Sequence, residues 1–192
     1  MQSLNKMFAD LEFMNECGDK ETICTFSDPD GVRSGKSGWS FGESQFDTQN
    51  NDAALACLKE CGFTEEEIRG VVSQTVDVAP FAERLKTNAD IIERYDIAQL
   101  SHCLNSAMNV ITEHGLPIEN PNGILALADY VNQYGSIGPG FIKWLGGLKR
   151  TVIGSDILNF KLQNTKYGKE RPADCKRRYN NLLKVVREAT AT

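Results

Sequence analysis

Between Thr87 and Gly115 the chain repeats apolar side chains at three- and four-residue spacing: Ile91, Ile92, Tyr95, Ile97, Leu100, Leu104, Met108 and Ile111, with no proline or glycine among them. A stripe of that period and length calls for an α-helix with one face turned into a core. Thr87 or Asn88 opens it and Gly115 stops it, so it is the longest expected element and the expected buried spine of the fold.

The other apolar segments also read as helices. Leu4, Met7, Phe8, Leu11 and Met14 recur at helical spacing from Ser3 to about Cys17, with Gly18 placed to stop the turn. Asn51 can cap a helix from Asp52 to Cys61 that ends at Gly62, and Thr64 with Glu67 three residues on forms a capping box for a helix through Val72. Pro80 can begin a short helix. After the connection LPIENPNG, ILALADYVNQYG gives a helix ended by Gly135, FIKWLGG gives a short apolar one, and Ser155 is placed to cap DILNFKLQNTKYG. Pro172 begins the terminal helix, Ala173 to about Glu188, with Tyr179, Leu182, Leu183 and Val186 on one face. Only Asp19 to Gln49 lacks a helical period; it holds the turn signal DPDG at Asp28 to Gly31 and reads as loop plus a short irregular β-hairpin. The expected fold class is mostly α, formally α+β: helices around a long central one, with a small hairpin inserted after helix one.

A length of 192 residues suits one sizeable core, or two lobes sharing a connecting helix. The opening MQSLNKMFADLEFMNE lacks the cationic start and apolar run of a secretory leader, and no stretch is apolar enough to span a bilayer. The expectation is a chain made in the cytoplasm without a signal peptide, which would need separate release or export to act on a cell wall or in a periplasm. Its net charge of -5 is unevenly spread. Acids outnumber bases from Asp10 to Glu67, while Lys161, Lys166, Lys169, Arg171, Lys176, Arg177, Arg178, Lys184 and Arg187 crowd the C-terminal segment. That segment suits contact with an anionic substrate or envelope, and the plain alternative is a solvated helical face. It lacks the interleaved aromatics of a single-strand binder, so no nucleic-acid partner is expected.

The six cysteines are scattered. Cys57 and Cys61, four apart on a helix, could pinch a metal, but no histidine lies near and no second pair follows, so buried reduced thiols are expected. Cys17 and Cys24 could close a small loop in an oxidising compartment. His102 and His114 share one helix, which argues against a histidine triad or metal site. Asp28 and Asp30 lack the regular oxygen-bearing positions of a calcium loop. No cofactor and no metal is called for.

Chemistry concentrates in SGKSGWSFGESQFDTQNN, Ser34 to Asn51. Gly35, Gly38 and Gly42 let the backbone turn and a ligand approach it, Trp39 and Phe41 offer flat apolar surface, and Ser40, Gln45 and Asp47 offer donors and acceptors. Such a mixture suits the wall of a groove for a polar, ring-shaped ligand; the alternative is a glycine-rich surface hairpin. Upstream, Glu16 and Glu21 are candidate general acids, since a carboxyl packed against Phe13, Phe26 or Trp39 would be desolvated and its pKa raised. Phe13, one turn before Glu16, favours Glu16. Asp30 or Asp47 could supply the second carboxylate of a glycosidase pair.

Gly42-Glu43-Ser44-Gln45-Phe46-Asp47, preceded by Ser37-Gly38-Trp39-Ser40-Phe41, resembles the glycine-x-x-glutamine signature of goose-type lysozymes and soluble lytic transglycosylases, in the longer form that ends in aspartate. Ala128-Asp129-Tyr130-Val131-Asn132-Gln133-Tyr134-Gly135 is similar, more loosely, to the alanine-tyrosine-asparagine-x-glycine element of that family, with an extra Val131. Phage endolysins and secreted muramidase effectors of the lysozyme-like superfamily share this order of acid, hairpin and later tyrosine-asparagine. Glu16-Cys17-Gly18 matches the family's helix end, and Glu21-Thr22 matches its loop length.

The resemblance implies a single lysozyme-like domain over 1–192, with a hairpin lobe about 19–50 and a helical lobe about 51–192. It implies a peptidoglycan glycosidase, muramidase or lytic transglycosylase, with Glu16 or Glu21 as general acid. Ser40, Gln45 and Asp47 would position sugar or water, Trp39 and Asp30 would border the groove, and Tyr130, Asn132 and Tyr134 would line its opposite wall. Its partner would be peptidoglycan or a related amino-sugar polymer, with the basic C-terminal helix touching an anionic envelope. Chitosanases share a related plan, so another amino-sugar polymer is a near alternative. A non-catalytic helical adaptor of a phage or secretion system is the rival from a different class.

Overall fold

The computed structural model describes residues 2–28, 31 and 37–191. It divides into two compact units, Met1–Asn15 with Leu100–Thr192 and Glu16–Gln99, here called the terminal and middle units. The division therefore does not fall near residue 50: the hairpin expected as its own lobe shares the middle unit with the helices that follow it. As expected, the chain is mostly helical, with one two-stranded sheet among the described residues. No helix among them is long and apolar enough to cross a membrane.

The terminal unit contains α1 (Leu4–Glu12), the second part of α6 (Ala89–His114), α7 (Pro121–Tyr134), α8 (Pro139–Gly147), α9 (Gly154–Asn164), α10 (Lys166–Glu170) and α11 (Pro172–Ala191). The Ser3 hydroxyl caps α1 by accepting from Lys6 N–H. The helix expected to reach Cys17 changes character at Phe13, where Phe13–Cys17 form a wider π-helical turn. α7 starts on the Asn120 cap, and every residue from Gly123 to Val131 is buried, so it is a core helix apolar on nearly all sides. Phe8, Leu11, Leu125, Leu127, Leu145, Ile157 and Leu182 pack in the same core.

Ser155 does not cap α9. The helix starts two residues earlier, at Gly154, where Asp156 accepts from Ile153 N–H (3.0 Å) and Asn122 Oδ1 accepts from Gly154 N–H (2.6 Å). Arg150 then grips both oxygens of Asp156, at 2.6 and 2.8 Å. A carboxylate three residues into the helix and a side chain distant in sequence do what a serine hydroxyl was expected to do.

The middle unit contains α2 (Lys20–Ile23), β1 (Ser40–Phe41), β2 (Phe46–Asp47), α3 (Asp52–Glu60), α4 (Glu65–Val72), a 3-10 turn (Ala79–Phe81), α5 (Ala82–Thr87) and the first part of α6. α2 is a single turn capped by Asp19, inside the stretch read as loop. The Asn51 cap and the Thr64–Glu67 capping box are both present. Phe41, Phe46, Cys57, Leu58, Phe63, Val71, Leu85 and Ile92 form its core.

α6 corrects the spine expectation. Its buried line is Ile92, Asp96, Leu100, Cys103, Leu104 and Ala107, while Ile97 is 60% and Met108 37% exposed. Ile97 and Met108 stand one position past Asp96 and Ala107, about 100° further round the helix, enough to turn them out of the core. α6 buries one face, and a carboxylate stands on it.

Candidate functional site

The hairpin expected to carry chemistry is held from several sides within the middle unit. β1 and β2 pair antiparallel with Ser40 opposite Asp47 and Phe41 opposite Phe46, and Ser27 adds a bridge through reciprocal 2.8 Å bonds with Ser40. The turn between the strands needs a left-handed backbone at Gly42 (φ 81°) and at Gln45 (φ 51°). A Cβ on Gly42 would come 2.8 Å from the Phe46 ring and 2.9 Å from an Asp96 oxygen, so glycine is required there for space as well as for backbone.

Asp96, on the buried face of α6, organises that turn. Its carboxylate accepts from Glu43 N–H (2.8 Å), Ser44 N–H (2.9 Å) and the Ser44 hydroxyl (2.7 Å). Burial raises its pKa, against the pull of those three donors. Sequence reading missed this residue, although the signal was present: Asp96 lies four residues after Ile92 and four before Leu100, in phase with the apolar stripe.

The side chains singled out on the hairpin have partners inside the unit. Gln45 donates to Gly42 O (2.9 Å) and accepts from the Ser27 hydroxyl (2.5 Å). Asp47 accepts from Gly38 N–H (2.8 Å), Gln49 N–H (2.9 Å) and Asn50 Nδ2 (2.7 Å), fixing the exit from β2. Ser40 is buried and Trp39 half-buried, its indole Nε1 shielded and without a hydrogen-bond partner among the described residues. Asp30 lies outside the described residues.

Of the two candidate acids, Glu21 is exposed on α2 and Glu16 is half-buried in the π-helical turn. The residue after Glu16 is stitched to the hairpin: the Cys17 thiol lies 3.5 Å from both Gly42 O and Glu43 O, and Gln45 Nε2 lies 3.9 Å from its sulfur. Burial, reinforced by nearby Asp96, pushes the Cys17 thiol up to about 12. Cys17 and Cys24 are free thiols, as are the buried Cys57 and Cys61.

Comparison with protein families, curated proteins and solved structures returned no match to this chain.

Tyr130, Asn132 and Tyr134 belong to the terminal unit. Tyr130 is buried and stacks on Tyr134 with ring centroids 4.3 Å apart, Phe141 packs beside it, and the Tyr134 hydroxyl bonds the Thr165 hydroxyl at 3.0 Å. Asn132 Nδ2 donates to Glu12 at 2.9 Å. Core packing therefore accounts for all three side chains within their own unit.

Asn132 leads to a second feature that the sequence reading missed, a buried charge cluster. Glu12, fully buried, accepts from Arg178 at 3.3 Å; Asp129 is clamped by Arg178 and by Lys161 (2.6 Å); Lys161 also donates to Gln133 (2.6 Å). Asn15 Nδ2 donates to Asp129 at 3.0 Å, and Asn181 Nδ2 to Asn15 Oδ1 at 3.0 Å. Burial opposes ionisation of Asp129, but the charges of Arg178 and Lys161 outweigh it and hold its carboxyl well below the usual carboxylate range. A cavity of about 20 Å³, lined in part by Asp129, Lys161, Cys175 and Arg178, has room for roughly one water. Two buried carboxylates against two buried cations, beside a cavity too small for a sugar, form a structural lock.

Proposed function

We propose that the protein is a lysozyme-like glycosidase that cleaves the glycan of peptidoglycan, or a related amino-sugar polymer, with Glu16 as general acid. The observation that carries this reading is the stitch between the end of the first helical run and the hairpin turn: Cys17 meets Gly42 O and Glu43 O, and Gln45 meets Cys17. Glu16, next to Cys17, thus stands beside the only left-handed glycine-to-glutamine turn among the described residues of the middle unit. Asp96 keeps that turn rigid. A pre-set turn bonded to the residue that follows Glu16 supports a role for that carboxyl in proton delivery to a glycosidic oxygen. No cofactor enters the proposal.

One observation favours a second reading, a non-catalytic binding module: Gln45 and Asp47 direct their polar atoms into the hairpin itself. Turbidity loss of purified cell walls, with hydrolysis of chitosan measured in parallel, separates the two. Glu16→Gln is expected to lower activity by about 10²-fold or more, the range of a general acid, while Glu21→Gln stays within about threefold. A wild-type protein inactive on every wall and chitosan preparation, or a fully active Glu16→Gln variant, would leave the binding module as the reading.

A further inference from the structure

The two units carry opposite charge. The terminal unit holds 13 Lys and Arg against 9 Asp and Glu, a net +4, and the middle unit holds 8 against 17, a net -9. Within the terminal unit several cations are occupied: Lys161 and Arg178 in the buried cluster, Arg150 on Asp156, Arg177 on Asp174 and Lys166 on Glu170. Among the described residues, the cations of this unit without an ion pair include Lys176, Lys184 and Arg187 on α11, all exposed.

With Asn180, these three fall at i, i+4, i+8 and i+11, one face of α11, opposite the buried line of Cys175, Arg178, Leu182, Val185 and Ala189. The stripe from Lys176 to Arg187 spans about 16 Å at 1.5 Å per residue. We propose that this face of α11 docks a flexible phosphodiester-linked polymer, the chemistry of a polyol-phosphate chain of a cell wall. The choice of a wall polymer rests on the glycosidase reading; the preference for phosphate rests on the stripe itself.

Charge complementarity selects the occupant, and the composition of the face narrows it. A helix lying in a lipid interface needs an apolar face to insert, and the apolar face of α11 is already buried in its own unit. A single-stranded nucleic acid wants aromatic side chains for its bases to stack on, and the exposed residues Lys176, Arg177, Asn180, Lys184, Arg187 and Glu188 include none. What remains is point charges spaced along a line, which suit a flexible string of phosphates. At physiological salt, screening over about 8 Å confines the interaction to charges close to the stripe, so the acidic total of the chain does not prevent it.

The test is a titration of the full-length protein with poly(glycerol phosphate), phosphatidylglycerol vesicles and double-stranded DNA. Polymer affinity should fall about tenfold or more between 50 and 200 mM salt, as expected for roughly three phosphate contacts. The variant Lys176→Glu/Lys184→Glu/Arg187→Glu should lose at least about tenfold in polymer affinity, with an unchanged circular dichroism spectrum and unchanged cleavage of a phosphate-free glycan fragment. A matched variant, Lys20→Glu/Lys59→Glu/Lys86→Glu in the middle unit, makes the same charge change and should bind as wild type. The proposal is overturned if the stripe variant binds like wild type, if both variants lose equally, or if vesicles or DNA bind more tightly than the polymer. Polymer binding without lytic activity would remove the glycosidase reading and leave the docking face standing; lysis without polymer binding would do the reverse.

Discussion

The Asp96 carboxylate, 4% exposed, accepts two backbone N–H groups and a hydroxyl from the turn. In Asp96→Asn an amide oxygen in the place of Oδ1 keeps both Ser44 donors, while the amide NH₂ then faces the Glu43 N–H. The variant is expected to lose about 1–3 kcal/mol in denaturant unfolding, the range for a buried donor left without its charged acceptor. Faster hydrogen exchange at the Glu43 and Ser44 amides would locate the loss in the turn; unchanged exchange there would show that Asp96 does not hold the hairpin. If the hairpin serves catalysis, the same variant lowers kcat while Glu16 is intact, because the turn loses its register.

Among the elements, α4 offers the clearest account of local stability. Thr64 Oγ1 accepts from Glu67 N–H (3.2 Å), Glu67 accepts in return from Thr64 N–H (2.8 Å), and Arg84 from α5 closes on the same carboxylate at 2.8 and 3.0 Å. Arg84 also lies 4.5 Å over the Phe63 ring, so one guanidinium ties a cap, an acid and an aromatic together. Thr64→Ala is expected to cost about 1 kcal/mol, read as a shift of the denaturation midpoint without a change in slope. This cap was legible in the chain because its partners are three residues apart. The α9 cap was not, because Asn122 and Arg150 reach Gly154 and Asp156 only after folding.

At the scale of the whole molecule, the buried quartet of Glu12, Asp129, Lys161 and Arg178 joins α1, α7, α9 and α11 of the terminal unit. Arg178→Met would strand two buried carboxylates against one lysine, an expected loss of about 3–5 kcal/mol. Pairing it with Glu12→Leu restores charge balance, so the double variant should be more stable than Arg178→Met alone by about 1–3 kcal/mol, a coupling that a double-mutant cycle measures directly.

The carboxyls give the protein its pH response. Asp129 lies well below the ordinary range, and hydrogen bonds from Arg84, then from Thr64, lower Glu67 to about 2. Such groups add stability above their unfolded pKa of about 4 and lose it as pH falls through the folded value. Asp96 is raised by burial, so its contribution has the opposite sign: greatest below about pH 4 and reduced as pH rises. Thermal melts are expected to show net loss of stability from about pH 5 to pH 2, shallower in Arg178→Met because the cause of the Asp129 shift is reduced.

Local chemistry along the chain determined most of the elements: the Asn51 and Thr64 regions start helices, Gly135 stops one, and Gly42 turns the hairpin, because capping and φ preferences act within a few residues. Tertiary structure decided which charges were buried and to what end. Glu12, Asp96, Asp129, Lys161 and Arg178 each stand in phase with apolar neighbours on their helices, and nothing in the chain alone says whether such a residue meets water, a turn or an opposite charge. The same holds for Gln45, Asp47, Asn132 and Tyr134, whose polar atoms could equally face a sugar or their own unit until the fold supplied their partners. Caps are written over three or four residues, whereas the partner of a buried charge, as Glu12 and Arg178 show, can lie more than 160 positions away.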